Sequence, residues 1–331
     1  MHRIGRQRRR IVLVELHQRA GESAGVLNSP SPGSGPLPES AEPEVARVIA
    51  AYGRQFLLET GPGEAPLKAV ARGRRSDCVV GDRVAFRRLN SEQAIVDEIS
   101  PRDNQVTRSD NYRSKTIAAN VDLAGVVISG YPRFDEALLV RILIALEAEG
   151  IPSLLVVTKQ DLDLSRQAMA DREAVYRALG YPVLHTAAKT APASIQSLAE
   201  RLRGKRTLLL GQSGMGKSTL VNALVRGAEQ QTAAISEALA SGRHTTTFTR
   251  AFELEEGGWI VDSPGFQTFE IAHLSRWQMV HAMPEFRPLL GQCRFNDCSH
   301  REEPGCVIRA GARDGRVDAL RYRLFTGIES S

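Results

Sequence analysis

One stretch of this chain is made of residue types that handle phosphate. Gly211-Gln212-Ser213-Gly214-Met215-Gly216-Lys217-Ser218 fits G-x-x-x-x-G-K-[ST] without a gap. Glycines let the backbone close on phosphate oxygens, and amides at a helix N-terminus point at the anion. Lys217 is expected to reach the β- and γ-phosphates and Ser218 to hold Mg²⁺, with Thr219 continuing the site. The apolar run Thr207-Leu208-Leu209-Leu210 reads as a buried strand before the loop, and 219–224 as the helix after it. That context separates a phosphate loop from an ordinary glycine-rich turn.

Other candidate ligands stand upstream. Thr158-Lys159-Gln160-Asp161 follows the apolar strand 153–157, at the carboxyl end where open α/β sheets bind ligands. The Asp161 carboxylate can accept from guanine N1–H and the exocyclic amine, a donor pair adenine lacks, so Asp161 would select GTP. Lys159 would lay its stem on the base. The plainer reading of Asp161 is a helix N-cap. At the next strand end, Thr186, Ala187, Ala188 and Lys189 are placed to offer a backbone N–H to guanine O6.

Downstream of the loop comes Gly242-Arg243-His244-Thr245-Thr246-Thr247, then Asp262-Ser263-Pro264-Gly265 after the apolar Trp259-Ile260-Val261. Asp262 is the second element expected at Mg²⁺, and the Gly265 amide can contact a γ-phosphate and lose it on hydrolysis. One of Thr245, Thr246 and Thr247 would meet the metal. These are GTPase parts in a rotated order, with the guanine motifs ahead of the phosphate loop. A circular permutation of a compact domain produces that order when its ends lie close together. The second switch then runs straight into the C-terminal region, to which it would pass a nucleotide-driven movement.

That region carries Cys293-x4-Cys298-x-His300-x5-Cys306. Three sulfurs and one imidazole at this spacing suit a tetrahedral, structural Zn²⁺ with no open ligand position. Arg294, Arg301, Arg309 and Arg313 surround it and can grip RNA phosphates, and 310–325 reads as a basic terminal helix. Cys78 stands apart as a core thiol.

Elements that must position these groups are legible in outline. Between 121 and 210, strands and amphipathic helices alternate, predicting a mainly parallel sheet. Ahead of it, short β-like runs at 45–51, 55–59, 67–72, 82–88 and 93–99 are punctuated by turn residues, predicting a small OB-type barrel. Arg72, Arg74, Arg75, Arg83, Arg87 and Arg88 would give it a basic face for phosphates and RNA shape, while Tyr52, Phe56 and Phe86 fit core as well as stacking. Residues 108–120 read as a polar connector. Residues 1–14 carry five arginines and no acid, and 21–43 is a Pro/Ser/Gly/Glu-rich linker. The expected layout is arm and linker 1–43, barrel 44–107, permuted GTPase 108–272 and zinc domain 273–331.

The 331 residues carry a net charge of +5, which favours a polyanionic partner, with a solvated basic face as the bland alternative. No run nears the roughly 18 apolar residues of a membrane span. Few cysteines, clustered as metal ligands, suit a reducing compartment.

Taken together, the permuted order, the G-Q-S-G-x-G-K-S-T-L loop, G-R-H-T-T-T, D-S-P-G-F and the cysteine–histidine cluster resemble the ribosome small subunit-dependent GTPase A family, over about 44–326. The resemblance implies a bacterial cytoplasmic assembly factor, expected as a monomer. It would use GTP/GDP with Mg²⁺ and one Zn²⁺, bind the small ribosomal subunit and its rRNA through both flanking domains, and leave after GTP hydrolysis. Alternatives are an RNA-binding module with incidental hydrolysis, or a GTPase of another RNA or the large subunit. The family usually has Asn where Thr158 stands, so guanine affinity is expected to fall while Asp161 keeps selectivity. Phe266 replaces the glutamine that orients water in many GTPases, which makes His244 the catalytic candidate; its other reading is a packing or RNA-contacting histidine.

Overall fold

The computed structural model describes residues 43–61, 63–72, 77–109, 113–228 and 249–328. Period-two burial builds its first part: Leu67, Ala69 and Ala71 point inward along β3 (Leu67–Ala71), as do Val84 and Phe86 along β4 (Arg83–Arg88). With β1 (Glu44–Tyr52), β2 (Gln55–Glu59) and β5 (Gln93–Ile99) they pair in the order β1-β2-β3-β5-β4, and β4 closes back on β1. This is the expected OB-like barrel, filled by Val48, Phe56, Leu58, Phe86 and Val96. Phe56 and Phe86 are therefore core rather than stacking platforms. Cys78 belongs to the same core, and burial pushes its thiol up to about 12.

The stretch 108–120 is not a connector. It completes a hairpin of β6 (Gln105–Ser109) with β7 (Ser114–Ala119). Its polar composition belongs to the exposed start of β7, whereas Val106, Ile117 and Ala118 join the main core. Burying those apolar positions outweighs the polar character of the rest.

The main sheet follows from uninterrupted burial. Every residue of β8 (Leu123–Ile128) and β9 (Ser153–Val157) is buried, as a parallel strand covered on both faces requires. Strand order is β10-β9-β8-β11-β13-β12, with β10 (Val183–His185), β11 (Arg206–Leu210) and β13 (Trp259–Asp262) parallel to their neighbours and β12 (Thr249–Glu253) antiparallel to β13. Helices α1 (Glu136–Ala148), α2 (Asp163–Ala178), α3 (Pro192–Leu202) and α4 (Lys217–Leu224) connect the strands. The sheet continues into the barrel, because β12 also pairs with β1 at Ala50 and Ala51.

C-terminal to the sheet, α5 (Arg276–His281) starts at a capping box of Ser275 and Gln278. The helix expected at 310–325 is two: α6 (Val307–Asp314) and α7 (Ala319–Thr326). Gly315 ends α6 in the left-handed conformation at φ 85°, and the Asp318 carboxylate accepts from the Arg321 amide to start α7. Buried charge bolts α7 to the core. Arg321 donates to Glu285 at 2.5 and 3.2 Å, with the two side chains 1% and 3% exposed. Nearby, Arg172 of α2 bridges Glu136 of α1 and Asp318. Arg321→Met strands the Glu285 carboxylate in the interior, so unfolding free energy should drop by about 3–5 kcal/mol. Chemical denaturation checks this, and Arg321→Met with Glu285→Leu should recover most of the loss.

Candidate nucleotide cleft and metal cluster

A cleft of about 870 Å³ opens at the carboxyl ends of β8, β9, β11 and β13. Phosphate-loop geometry is set by its glycines. Gly211 has φ 146°, and a Cβ there would lie 2.4 Å from the Val127 carbonyl. Gly214 and Gly216 have φ of 80° and 99°, and Gly216 is the residue before α4. Lys217 is 7% exposed and donates to the Gly211 and Gln212 carbonyls at 2.8 and 3.1 Å. Burial lowers its ammonium pKa, with Asp262 opposing. A desolvated cation whose ammonium donates to carbonyls is primed for an anion.

Ser213, Gly214, Gly216, Lys217, Ser218, Thr219, Asp262 and Gly265 line this cleft together. Asp262 is itself raised by burial, against the pull of Lys217 and Arg250. Gly265 packs so closely that a Cβ would sit 2.8 Å from the Ser213 Cα. Phe266 donates its amide to the Gly211 carbonyl at 3.2 Å, and its buried ring packs edge-on against Phe269. It is a packing residue, remote in chemistry from a water-orienting glutamine.

The residues expected at the guanine come to the same cleft: Thr158, Lys159, Asp161, Thr186, Ala188 and Lys189 line it. Lys159, at φ 56°, donates its ammonium to the Gly214 carbonyl at 2.9 Å. The Thr158 hydroxyl reaches the Met215 carbonyl at 2.6 Å and the Ile128 carbonyl at 3.2 Å, so threonine ties the strand end to the phosphate loop. Gln160 N–H donates to the Thr186 carbonyl, joining the two guanine-side loops. Besides Gly211, three expected residues serve from behind the lining. Met215 is buried, the Gln212 side chain accepts from the Asp135 amide, and the Ala187 amide is engaged by the Ser194 hydroxyl. His244, Thr245, Thr246 and Thr247 lie outside the described residues, as do Arg74, Arg75 and the arm and linker up to residue 42.

Sequence reasoning missed Tyr131, Pro132 and Arg250, which also line the cleft. Arg250 had a signal, being a cation two residues before Phe252 in a strand, on the same face by period two.

At the C-terminal end, Cys293, Cys298, His300 and Cys306 bring their ligand atoms within 4.8 Å of one another. The His300 Nδ1 is 3.6 Å from the sulfurs of both Cys293 and Cys306. Burial lowers the His300 pKa, which favours the neutral, metal-ready imidazole. The loop is organised around Glu303, whose carboxylate accepts from the amides of Ser299, Arg301 and Glu302. The bonds from Ser299 lead in holding that carboxyl down at about 2. Tyr322 of α7 donates to the His300 carbonyl at 2.9 Å, fixing the ligand from outside. Soft sulfur donors converging with one imidazole fit a closed zinc site.

The barrel's basic face is largely answered. Arg72 and Arg87 pair with Asp97, Arg83 with Asp103 and Arg88 with Glu44. Around the cysteine cluster, arginines turn to rings and carbonyls instead: Arg294 lies over Phe295, Arg309 donates to Glu302 and Arg301 to Ile328.

Residues 99–272 match the model of the RsgA GTPase family. The small ribosomal subunit biogenesis GTPase RsgA of Burkholderia pseudomallei (strain K96243) is 47% identical over 291 residues, covering 88% of this chain and 93% of that protein. Its counterpart from Paraburkholderia xenovorans is 47% identical over 284 residues, covering 84% and 90%. Among solved structures, YjeQ from Thermotoga maritima matches with a TM-score of 0.66 at 26% identity, covering 86% of this chain and 96% of that one. YloQ, a circularly permuted GTPase, matches with a TM-score of 0.62 at 26% identity, covering 86% and 93%. With the loops at 158–161 and 186–189 ahead of the glycine loop 211–218 and all on one cleft, the chain belongs to the RsgA GTPase family and is a circularly permuted GTP hydrolase.

Proposed function

We propose that this GTPase acts in maturation of the small ribosomal subunit, binding its rRNA and hydrolysing GTP on the subunit to drive its own release. The observation that carries this reading is one cleft built from guanine-side and phosphate-side loops, in a chain 47% identical to proteins named for small ribosomal subunit biogenesis. In this reading Asp161 recognises the guanine edge, with Lys159 against the base and the Thr186–Ala188 turn near O6. Lys217 and the amides of the loop 211–219 hold the phosphates, and Ser218 and Asp262 serve Mg²⁺, which neutralises phosphate charge when bound. One of Thr245, Thr246 and Thr247 completes the metal site, Gly265 senses the γ-phosphate, and His244 positions the attacking water.

Zn²⁺ on Cys293, Cys298, His300 and Cys306 would be structural. The protein would work in the cytoplasm as a monomer, with a barrel at 44–107, a GTPase unit at 108–272 and a zinc domain at 273–331. Barrel arginines in exposed ion pairs remain available to RNA, since such pairs contribute only about 0–1 kcal/mol and a phosphate can replace the carboxylate.

Thr158→Val keeps the shape but removes the hydroxyl that ties the guanine-side strand to Met215. Losing one buried hydrogen bond should weaken GDP binding by about 1–2 kcal/mol, roughly 5- to 30-fold, while Thr158→Ser stays near wild type. Equilibrium titration with a fluorescent GDP measures it. The function itself is tested by GTP turnover with and without isolated small subunits, with large subunits and ATP as controls. Large stimulation by small subunits alone is expected. Tight GTP-dependent binding without stimulation would instead make this an RNA-binding module whose hydrolysis is incidental.

A further inference from the structure

Arg250 is a buried charge that no motif accounts for. It is 7% exposed at the second position of β12, and its guanidinium carbon lies 4.1 Å from the centre of the Phe252 ring. In register it stands opposite Asp262 on β13 and opposite Ala50 on the barrel strand β1. It lines the nucleotide cleft together with Lys217, Asp262 and Gly265. Burial pulls its guanidinium down to about 10, with Asp262 resisting. Taking a cation out of water is costly unless a fixed charge answers it, and Asp262 is the carboxylate across the strand pair.

The two cations beside Asp262 have different mountings. Lys217 opens α4 on the phosphate loop and is drawn to the phosphates once a nucleotide is bound. Arg250 sits on a strand held on both sides by ladders and rests on an aromatic face. Its place across the ladder from Asp262 is fixed by the strand pairing and not by the phosphate loop. We infer that Arg250 is a positioning residue, which holds Asp262 as an oriented carboxylate so that it can organise the Mg²⁺ of a bound nucleotide. This rests on the reading of Asp262 as a magnesium group. Arg250 acts through Asp262 and does not itself touch the nucleotide.

The test measures the affinity of N-methylanthraniloyl-GDP across a magnesium titration, starting from chelated conditions, for wild type, Arg250→Lys, Arg250→Met and Asp262→Asn. Arg250→Met should raise the half-saturating magnesium concentration about tenfold while leaving magnesium-free affinity unchanged. Arg250→Lys, which keeps the charge, should stay close to wild type. In an Asp262→Asn background, Arg250→Met should add nothing. An unchanged magnesium requirement in Arg250→Met overturns the inference. So does a loss of magnesium-free affinity, which would put Arg250 on the phosphates directly. If Arg250→Met does not fold, the paired comparison of Arg250→Lys and Phe252→Leu decides: both keep the cation, and a tenfold magnesium shift in both overturns it. A normal magnesium requirement in Asp262→Asn alone would instead sink the Asp262 assignment, a separable failure.

Discussion

With zinc on Cys293, Cys298, His300 and Cys306, as proposed, chelation should melt the segment from Cys293 to Asp314 while α5 and α7 stay protected. Residues between Gly291 and Cys306 form no regular strand or helix, and most of their side chains are exposed. A loop of this kind has little buried apolar surface to offset its ordering entropy. The Glu303 carboxylate ties together three amides, yet it lies near the surface, where water competes for each bond. Metal ligation is the term large enough to decide, of order 10–16 kcal/mol for structural zinc in small domains. The helix α7 has its own anchor in the Arg321–Glu285 pair and in Phe325, whose ring packs edge-on against Phe286. The measurement is amide hydrogen exchange before and after zinc release, with the released metal quantified. Full zinc release with unchanged exchange over 293–314 would show that hydrogen bonds alone hold the loop.

Gly265→Ala should cost GTP turnover about 100-fold with only a modest fall in melting temperature. A Cβ at this position would stand 2.8 Å from the Ser213 Cα, 3.0 Å from the Ser213 nitrogen and 3.1 Å from the Lys217 ammonium. Two of those atoms are phosphate-loop backbone and cannot rotate aside. The loop and the segment after β13 must therefore part, pulling on the Phe266 amide bond to Gly211. A displacement approaching 1 Å at reacting groups costs on the order of 100-fold in rate. GDP lacks the γ-phosphate that Gly265 would sense, so GDP affinity should fall far less than turnover. Stability should fall by about 1–3 kcal/mol, the usual cost of forcing an extra carbon against packed backbone. Steady-state GTP kinetics, GDP titration and thermal melts on one preparation separate these effects. A turnover equal to wild type would mean that the switch segment does not use this close packing during hydrolysis.

Much of this molecule is legible in its residues. The glycine spacing of 211–218 dictates a loop that only a few backbone conformations satisfy, and the apolar runs beside it dictate strand and helix. The barrel is readable because alternation in β3 and β4 is a local property. The four zinc-type ligands are readable because their spacing is short enough for one loop to gather them. Two elements depart from their local signals. The polar start of β7 masks its apolar end, and the basic composition of 310–325 masks the break that Gly315 imposes.

Contacts between residues far apart in sequence are a different matter, because the fold alone creates them. That Thr158 reaches the Met215 carbonyl depends on β9 and β11 ending together on either side of β8 in the sheet. The pairing of barrel arginines with Asp97, Asp103 and Glu44 depends on how the barrel closes, and it gives the four described arginines of that face carboxylate partners. Arg250 gains its meaning only when β12 is set between β13 and β1, opposite Asp262. The chemistry of each loop is written in the sequence, because bond geometry and side-chain type act over a few residues. The environment of each charge is left to the fold, because desolvation and Coulomb forces depend on what the sheet brings near.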